Sequence, residues 1–310
     1  MTIKVQLHLK PSALPLWQPA LEAALAEAGI AAHLATDHAP ETVDYVIYAP
    51  SGGHVDLSGY TSTKLVHGLW AGVESIIGND TLTQPYARMV GGGLTEGMVE
   101  WVTGNVLRHH LGLDRYITAD APHWDQVVPP LASERRVTIL GLGELGAACA
   151  AALVGLGFDV AGWSRSAKAL PGVTAFHGED GLPDALARAE ILVLLLPATP
   201  DTTDILNART LALLPEGAFI LNPGRGALID EDALLAALNG GHVAHATLDT
   251  FKTEPLPPAH PFWSHPRVTV TPHVAADTRP RQAAQVVAQN IARVEAGEPA
   301  LYLVDKSRGY

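Results

Sequence analysis

Cysteine is almost absent from this chain, because Cys149 is the only one among 310 residues. A disulfide within the chain is therefore excluded, since that bond joins two thiols. Cys149 falls inside a run of small and apolar residues, so we expect it to be a buried core residue rather than a reactive thiol.

Long apolar runs and an excess of basic residues are also missing. No uncharged apolar run approaches the roughly 20 residues that a membrane-spanning helix needs. The first residues lack the basic segment and apolar run of a secretion signal, so we expect a soluble, cytoplasmic protein. Lys and Arg number 20 against 32 Asp and Glu, which gives a net charge of −12. This balance argues against a nucleic-acid or anionic-membrane partner.

The rest of the composition is typical of a folded protein. Hydrophobic residues make up 47% and charged residues 17%, which argues against disorder. A chain of this length is enough for two domains of ordinary size. Short apolar runs alternate with helical patterns along both halves, and this predicts an α/β protein with mostly parallel sheets.

The most informative stretch is residues 137–165, VTILGLGELGAACAAALVGLGFDVAGWSR. It predicts a buried strand at Val137–Leu140, then a helix, then a second strand at Val160–Trp163. The turn between the first strand and the helix reads GLGELG. This GxGxxG pattern occupies the place where it has a mechanism, at the start of the helix of a βαβ unit.

Each glycine of that turn has a separate physical role. Gly141 permits the tight turn, Gly143 lets a pyrophosphate approach the backbone, and Gly146 lets the helix pack closely on the strand. The free N–H groups at the helix start then meet the negative charge of the phosphates. The sequence therefore predicts dinucleotide binding; the alternative is a glycine-rich turn that serves packing alone.

The tip of the second strand indicates which dinucleotide is bound. An acidic residue there would bind a ribose 2′-hydroxyl, but this chain has Ser164, Arg165 and Ser166, with Lys168 close by. Hydroxyl and cationic donors suit a 2′-phosphate, so the pattern favours NADP(H), with NAD(H) as the alternative. Arg165 and Lys168 as ordinary surface charges are the competing interpretation.

Three polar residues directly follow predicted strands farther along the chain: Arg225, Asp249 and His273. Ligands of parallel sheets bind beyond the carboxyl ends of the strands, which makes all three candidates for a site. A guanidinium binds a carboxylate through two hydrogen bonds, so Arg225 is a candidate for substrate binding; a structural ion pair is its alternative. His273 beside a carboxylate such as Glu254 would act as a general acid.

Histidine pairs raise the separate question of a metal site. His109 and His110 are adjacent, and His242 lies near His245. No cysteine or carboxylate cluster accompanies them in the sequence, so we predict no metal.

Several ordered motifs resemble the D-isomer-specific 2-hydroxyacid dehydrogenase family. They are GLGELG, LLLPATPDT, LNPGRGALIDEDAL, LDTFKTEPLPP and HPRVTVTPHVAA, and the resemblance extends from about residue 64 to the end. Within the family, the WSRS strand tip, EPLPP followed by PFWSHPRVTVTPHVAADTRP, and the terminal VDKSRGY are most similar to the glyoxylate/hydroxypyruvate reductase A branch.

The resemblance implies roles for individual residues. Arg225 would bind the carboxylate and carbonyl of a 2-oxo acid, and His273, paired with Glu254, would donate the proton; these three are the predicted catalytic residues. Trp70, Ala71 and Gly72, in WAGVES, would form with Arg225 the predicted substrate-binding set. The predicted cofactor-binding residues are Gly141, Gly143, Glu144, Leu145, Gly146, Ser164, Arg165, Ser166, Lys168, Pro197, Pro223 and Asp249, the last of which would bind the nicotinamide carboxamide.

The resemblance also implies an architecture. A Rossmann-type doubly wound parallel sheet (residues 104–275) would bind NAD(P) and be inserted in a smaller, flavodoxin-like α/β lid domain (residues 1–103 and 276–310) that binds substrate. The family implies a homodimer and the NADPH-dependent reduction of glyoxylate or hydroxypyruvate.

Two departures from the family bear on these expectations. Thr250 stands where the family often has valine, which we expect to be tolerated. The segment Tyr48–Gly53 differs from the expected branch and should line the pocket, so the sequence does not decide the substrate. The alternatives are a reductase of larger 2-oxo acids, an NAD-linked D-lactate-type dehydrogenase, and a dinucleotide-sensing binding protein.

Overall fold

Apolar runs that alternate with helices form two parallel sheets in the computed structural model, which describes residues 2–117 and 124–306. Up to residue 117 the elements are β1 (Ile3–His8), α1 (Leu14–Glu27), β2 (Ala32–Ala35), β3 (Tyr45–Tyr48), β4 (Leu65–Gly68), α2 (Glu74–Ile77), β5 (Tyr86–Ala87), α3 (Leu94–His110) and α4 (Asp114–Ile117). From residue 124 they are β6 (Arg136–Leu140), α5 (Glu144–Gly155), β7 (Asp159–Ser164), β8 (Val173–His177), α6 (Gly178–Ala187), β9 (Ile191–Leu194), α7 (Ala208–Leu211), β10 (Ala218–Asn222), α8 (Glu231–Gly240), β11 (Val243–Leu248), β12 (Val268–Val270) and α9 (Pro280–Glu295).

The chain divides into two compact units. One contains the residues up to Thr95 together with those from Asp277 onward, and the other is Glu96–Ala276. The second unit is thus inserted in the chain of the first.

The first unit is built on a five-stranded parallel sheet of order β2-β1-β3-β4-β5. This is the 2-1-3-4-5 order of flavodoxin-like folds. Because side chains alternate along a strand, β3 buries Tyr45 and Ile47 against α1 and α9, and Val46 and Tyr48 on the opposite face. Both faces of the sheet are therefore covered, as parallel sheets require.

A buried histidine on β4 ties the end of the chain to this sheet. His67 is 1% exposed, and its Nδ1 lies 2.8 Å from the Gly68 carbonyl. Asn290 of α9 donates to His67 Nε2 at 3.0 Å and accepts the Leu301 N–H at 2.7 Å. Burial lowers the pKa of His67 to about 4, so the ring is neutral at physiological pH.

The inserted unit is built on a seven-stranded parallel sheet of order β12-β11-β10-β9-β6-β7-β8. Renumbered from β6, the strands follow the 3-2-1-4-5-6 order of Rossmann folds with one strand added. On the central strand β9, Ile191 and Val193 pack with α3 and α5, while Leu192 and Leu194 pack with α6 and α8. The two sheet orders confirm the predicted fold class.

Two elements, β2 and α6, are hard to predict from the sequence because they lack the residue pattern typical of a strand or a helix. Strand β2 lies at the edge of its sheet and buries only Leu34, so its residues show no apolar alternation. Helix α6 has Gly181 and Pro183 in its interior, two residues that usually argue against a helix. Among the described residues, no helix is both long enough and apolar enough to cross a membrane.

Candidate active site

The turn after β10 carries Arg225 and is held by the last residue of that strand. Asn222 is buried; its Nδ2 donates to the Arg225 carbonyl at 2.9 Å, and its Oδ1 accepts the Gly224 N–H at 3.2 Å. The Arg225 guanidinium is half-buried and donates to the Gly224 carbonyl at 2.7 Å. A Cβ on the next residue, Gly226, would overlap the backbone of Phe251, so only glycine permits this close approach.

Glu254 and His273 form a hydrogen-bonded pair. Nδ1 of His273 lies 2.8 Å from Oε2 of Glu254, and Oε1 of Glu254 accepts the Phe251 N–H at 3.0 Å. Because a carboxylate only accepts hydrogen bonds, Nδ1 carries the proton and Nε2 is the ring atom available to a substrate. The His273 side chain is 50% exposed. The arrangement suits a proton donor oriented by a carboxylate.

The loop that carries His273 is fixed by Asp249, at the end of β11. The Asp249 carboxylate is fully buried and accepts the Thr271 hydroxyl at 2.5 Å and the N–H groups of Val274 and Ala275, each at 2.9 Å. Its carbonyl accepts the His273 N–H at 2.8 Å. These bonds hold His273 at φ 54°, a left-handed conformation uncommon for a residue other than glycine.

Sequence reasoning missed this supporting role of Asp249, and missed Thr271 altogether. The available signal was topological, because the two residues follow β11 and β12, which pair in parallel. The nicotinamide contact predicted for Asp249 stays a prediction.

The structure brings the three strand-tip candidates to one edge of the inserted unit's sheet. Arg225, Asp249 and His273 follow β10, β11 and β12, and these are three adjacent parallel strands. Glu254 joins them through its bond with His273. A guanidinium and an imidazole–carboxylate pair therefore lie at the carboxyl ends of neighbouring strands, where ligands of such sheets bind.

The glycine turn lies at the same edge of the sheet, between β6 and α5. Gly141 has φ 107°, and a Cβ on it would clash with the backbone of Leu195. A Cβ on Gly146 would overlap the Gly141 carbonyl, so the helix packs directly on the turn. Gly143 differs, because its Cβ position has no described heavy atom within 4 Å. Its exposed backbone, with that of Glu144, begins a helix of 12 residues with free N–H groups.

The tip of β7 lies beside this turn, because β6 and β7 are paired. The Ser164 hydroxyl donates to the Ser166 carbonyl at 2.8 Å, which closes the tip into a turn. Arg165, Ser166 and Lys168 are exposed there. The tip of β7 thus presents exposed cationic side chains beside the glycine turn.

The remaining predicted site residues have simpler surroundings. Pro197 is exposed after β9, where its carbonyl accepts the Thr202 hydroxyl at 2.6 Å, and Pro223 is buried behind the Arg225 turn. Leu145 is half-buried on α5. In the other unit Trp70, Ala71 and Gly72 follow β4, and the Trp70 carbonyl accepts the Met89 N–H at 3.1 Å.

Two of the histidines considered for a metal site, His109 and His245, have threonine partners. His109 and His245 lie with ring centroids 5.3 Å apart, and each contacts a threonine hydroxyl at 2.9 Å. Burial lowers the pKa of His109 to about 3 and that of His245 to about 4. No group of three or more metal-ligating side chains occurs in the part of the chain that the structure describes. Burial also raises the pKa of the Cys149 thiol to about 12.

Comparison with known proteins finds a matching family model and similar solved structures. Residues 103–275 match the family model described as D-isomer specific 2-hydroxyacid dehydrogenase, NAD binding domain. A D-isomer specific 2-hydroxyacid dehydrogenase from Xanthobacter autotrophicus Py2, solved with NADPH and MES, is 42% identical over 99% of each chain, with a TM-score of 0.92.

Two further solved structures are similar over nearly their whole length. The NADPH-dependent glyoxylate/hydroxypyruvate reductase from Sinorhizobium meliloti, solved with NADP and sulfate, is 35% identical over 100% of this chain and 99% of that one, with a TM-score of 0.85. A probable 2-hydroxyacid dehydrogenase from Rhizobium etli CFN 42, solved with NADP, HEPES and L(+)-tartaric acid, is 31% identical over 100% and 99%, with a TM-score of 0.89.

Proposed function

The chain belongs to the D-isomer specific 2-hydroxyacid dehydrogenase family, and from this premise we propose that it reduces small 2-oxo acids, glyoxylate and hydroxypyruvate, to 2-hydroxy acids with NADPH. The observation that carries the proposal is the Glu254–His273 pair, which joins the segments that follow β11 and β12 at the sheet edge where the Arg225 turn follows β10. A reductase of 2-oxo acids needs one cation for the carboxylate and one proton donor for the carbonyl oxygen.

The residues of the glycine turn fit a dinucleotide. The open space beside Gly143 lets a pyrophosphate approach the backbone, and the start of α5 offers N–H groups to its charge. Glu144, Leu145 and Gly146 complete the turn that would hold the pyrophosphate. When bound, the nicotinamide supplies the hydride that reduces the keto carbon.

The chain's own residues perform the other steps. Arg225 binds the substrate carboxylate and polarises the carbonyl, which stabilises the negative charge that develops on its oxygen. His273 donates a proton to that oxygen, and Glu254 stabilises the charged imidazolium before donation. The proton from His273 completes the alcohol, so one 2-oxo acid, one NADPH and one proton would give one 2-hydroxy acid and one NADP⁺.

A preference for NADP(H) is supported by the tip of β7. Arg165, Ser166 and Lys168 are exposed and offer hydroxyl and cationic donors where an acidic residue would repel a 2′-phosphate, and the Ser164 hydroxyl closes the turn that carries them. Relatives solved with NADPH or NADP support the same preference. Asp249, Pro197 and Pro223 are proposed cofactor contacts that rest on the family resemblance.

We propose that one unit binds the cofactor and the other binds the substrate. Residues 104–275 would bind the cofactor, and residues 1–103 with 276–310 would bind the substrate, whose carboxylate the backbone amides of Ala71 and Gly72 would contact near Trp70. These assignments rest on the resemblance. Replacing Gly72 with proline removes one such amide, so it should raise the KM for glyoxylate more than that for NADPH.

We also propose a homodimer. Ile117, Trp124, Val128 and Leu131 expose large apolar side chains on a short stretch that includes residues 118–123, which lie outside the described residues. Exposed apolar groups of this kind mark interfaces with other proteins. Light scattering on the purified protein should give twice the mass of the chain, and a monomer at micromolar concentration would contradict the proposal.

A cytoplasmic location stays a prediction.

Steady-state kinetics test the reaction itself. Glyoxylate, hydroxypyruvate, pyruvate and phenylpyruvate are each offered with NADPH and with NADH, and the loss of reduced-nicotinamide absorbance is followed. We expect the highest kcat/KM for a small substrate with NADPH. A preference for phenylpyruvate would indicate a reductase of larger 2-oxo acids, and a preference for pyruvate with NADH would indicate a lactate-type dehydrogenase. Cofactor binding without turnover of any 2-oxo acid would indicate a sensing protein.

His273→Ala is the accompanying variant. Loss of the proton donor should reduce kcat by roughly 10²- to 10⁴-fold while NADPH affinity stays nearly unchanged. Turnover that survives this change would remove His273 from the mechanism.

A further inference from the structure

We propose that Asp204 is a positioning residue for this reaction, because it joins the turn that carries Arg225 to the loop that carries Glu254. The inference rests on the proposed function, which assigns those two side chains to substrate binding and to the orientation of the proton donor. Asp204 itself lies outside every motif that resembles the family. It acts through two different parts of the residue, its backbone and its carboxylate.

The backbone of Asp204 pairs with the turn after Arg225. The Asp204 N–H donates to the Ala227 carbonyl at 2.8 Å. Two residues later the Leu206 N–H donates to the Leu228 carbonyl at 3.0 Å, and Leu206 and Ile229 form a parallel bridge. These backbone hydrogen bonds therefore fix the position of residues 227–229, which follow the Arg225 turn, against the segment around Asp204.

The carboxylate of Asp204 reaches the other loop. Its Oδ1 lies 2.7 Å from Nζ of Lys252, which stands between Phe251 and Glu254. The Phe251 N–H is itself bonded to Glu254 at 3.0 Å, and Glu254 is bonded to His273 at 2.8 Å. A continuous chain of contacts thus runs from Asp204 to the imidazole.

Direct packing couples the same two loops. Gly226, the residue after Arg225, lies so close to the backbone of Phe251 and Lys252 that a Cβ would overlap it. A displacement of the Phe251–Glu254 loop would therefore open or close this contact as well as move Glu254. The ion pair between Asp204 and Lys252 opposes such a displacement, because it holds Lys252 in this loop.

The conformation of Asp204 suits this role. It has φ 50°, in the left-handed region that Asp and Asn tolerate better than most residues. Its hydrogen bond is also the largest cause that raises the pKa of the Lys252 ammonium, with Glu231 and Asp230 adding smaller effects. The pair is partly exposed, so its contribution to global stability should be small and its effect local.

The test compares variants that remove the ion pair and keep the backbone. Asp204→Asn retains the left-handed conformation, Lys252→Met retains the aliphatic stem, and Lys252→Arg retains the charge. We expect the first two to lower kcat roughly five- to tenfold, with less than about a twofold change in KM for glyoxylate, because Glu254 loosens and Arg225 does not. Lys252→Arg should restore most of the rate. The double variant should be no worse than either single one.

Lys64→Met provides a matched control from the other unit. Lys64 and Glu295 are also 2.7 Å apart, with side chains 44% and 36% exposed against 37% and 41% for Lys252 and Asp204. This variant should keep wild-type kcat. The solvent isotope effect on kcat should rise in Asp204→Asn, because proton donation becomes more rate-limiting, and should stay unchanged in the control.

Two outcomes would overturn the inference while leaving the proposed function intact. One is wild-type kcat in Asp204→Asn, and the other is an equal loss in Lys64→Met. If the wild-type protein turns over none of the 2-oxo acids, the proposed function fails, and hydrogen exchange can still test the positioning role of Asp204. The Phe251 amide should then still exchange about tenfold faster in Asp204→Asn than in wild type, and unchanged exchange would refute the positioning role.

Discussion

Glu254→Gln tests the chemistry of the site directly, because it removes the negative charge that faces the His273 imidazole. Glutamine has a single side-chain oxygen, which can accept from His273 Nδ1 in place of Glu254 Oε2, a bond of 2.8 Å in the wild type. The bond of 3.0 Å that Glu254 Oε1 accepts from the Phe251 N–H is then lost, because an amide –NH2 only donates. A hydrogen bond to a charged group contributes about 1.5–3 kcal/mol and a neutral one about 0.5–1.5 kcal/mol. The difference of roughly 1–2 kcal/mol is discounted because both side chains are partly exposed.

The expected result is a fall in kcat/KM of about 5- to 20-fold, since about 1.4 kcal/mol corresponds to tenfold. NADPH oxidation with glyoxylate measures the rate, and nicotinamide fluorescence measures cofactor affinity, which should not change. Glu231→Gln is the matched control, because Glu231 lies 3.5 Å from His260 in another histidine–glutamate pair of the same unit. Wild-type kcat/KM in Glu254→Gln, or an equal loss in Glu231→Gln, would refute the reasoning.

Three further predictions concern the cofactor, acid stability and a buried hydroxyl. Arg165→Ala should weaken NADPH by about 1–3 kcal/mol and NADH far less, as measured by fluorescence titration. The folded-state pKa of His67, about 4, lies below the ordinary 6.5, so the unfolded chain binds the proton first as the pH falls. Stability conferred by neutral His67 should therefore be complete above pH 6.5 and fall by about 3 kcal/mol in total by pH 4, as followed by urea unfolding. Thr250→Val should raise the unfolding free energy by about 1 kcal/mol, because the buried Thr250 hydroxyl has no hydrogen-bond partner among the described residues.

Each of these has a contrary outcome. Equal weakening of NADPH and NADH by Arg165→Ala would reject the 2′-phosphate role. His67→Gln should flatten the dependence of stability on pH, whereas the same change at the exposed His54 should not; an unchanged slope in His67→Gln would contradict the burial argument. A less stable Thr250→Val would contradict the argument that the buried hydroxyl is unpaired.

Much of this fold could be predicted from sequence because its signals are local. A buried parallel strand is a continuous apolar run, and the residue after it lies at the ligand-binding edge. This rule predicts Arg225, Asp249 and His273 as site residues from the sequence, and the three strands that precede them are adjacent in the sheet. The edge strand β2 carries no such signal, because an exposed strand need not be apolar.

The contacts that orient the site are long-range, and local patterns carry no information about them. Asp249 and Ala275 are 26 residues apart, and Asp204 and Lys252 are 48 apart. Each pairing depends on the order in which the strands assemble and on which tip each loop follows. A lysine such as Lys252 is therefore an ordinary surface charge in the sequence. It becomes a constraint on Glu254 only because β10 and β11 are neighbours and the chain at Gly226 has no side chain to separate their loops.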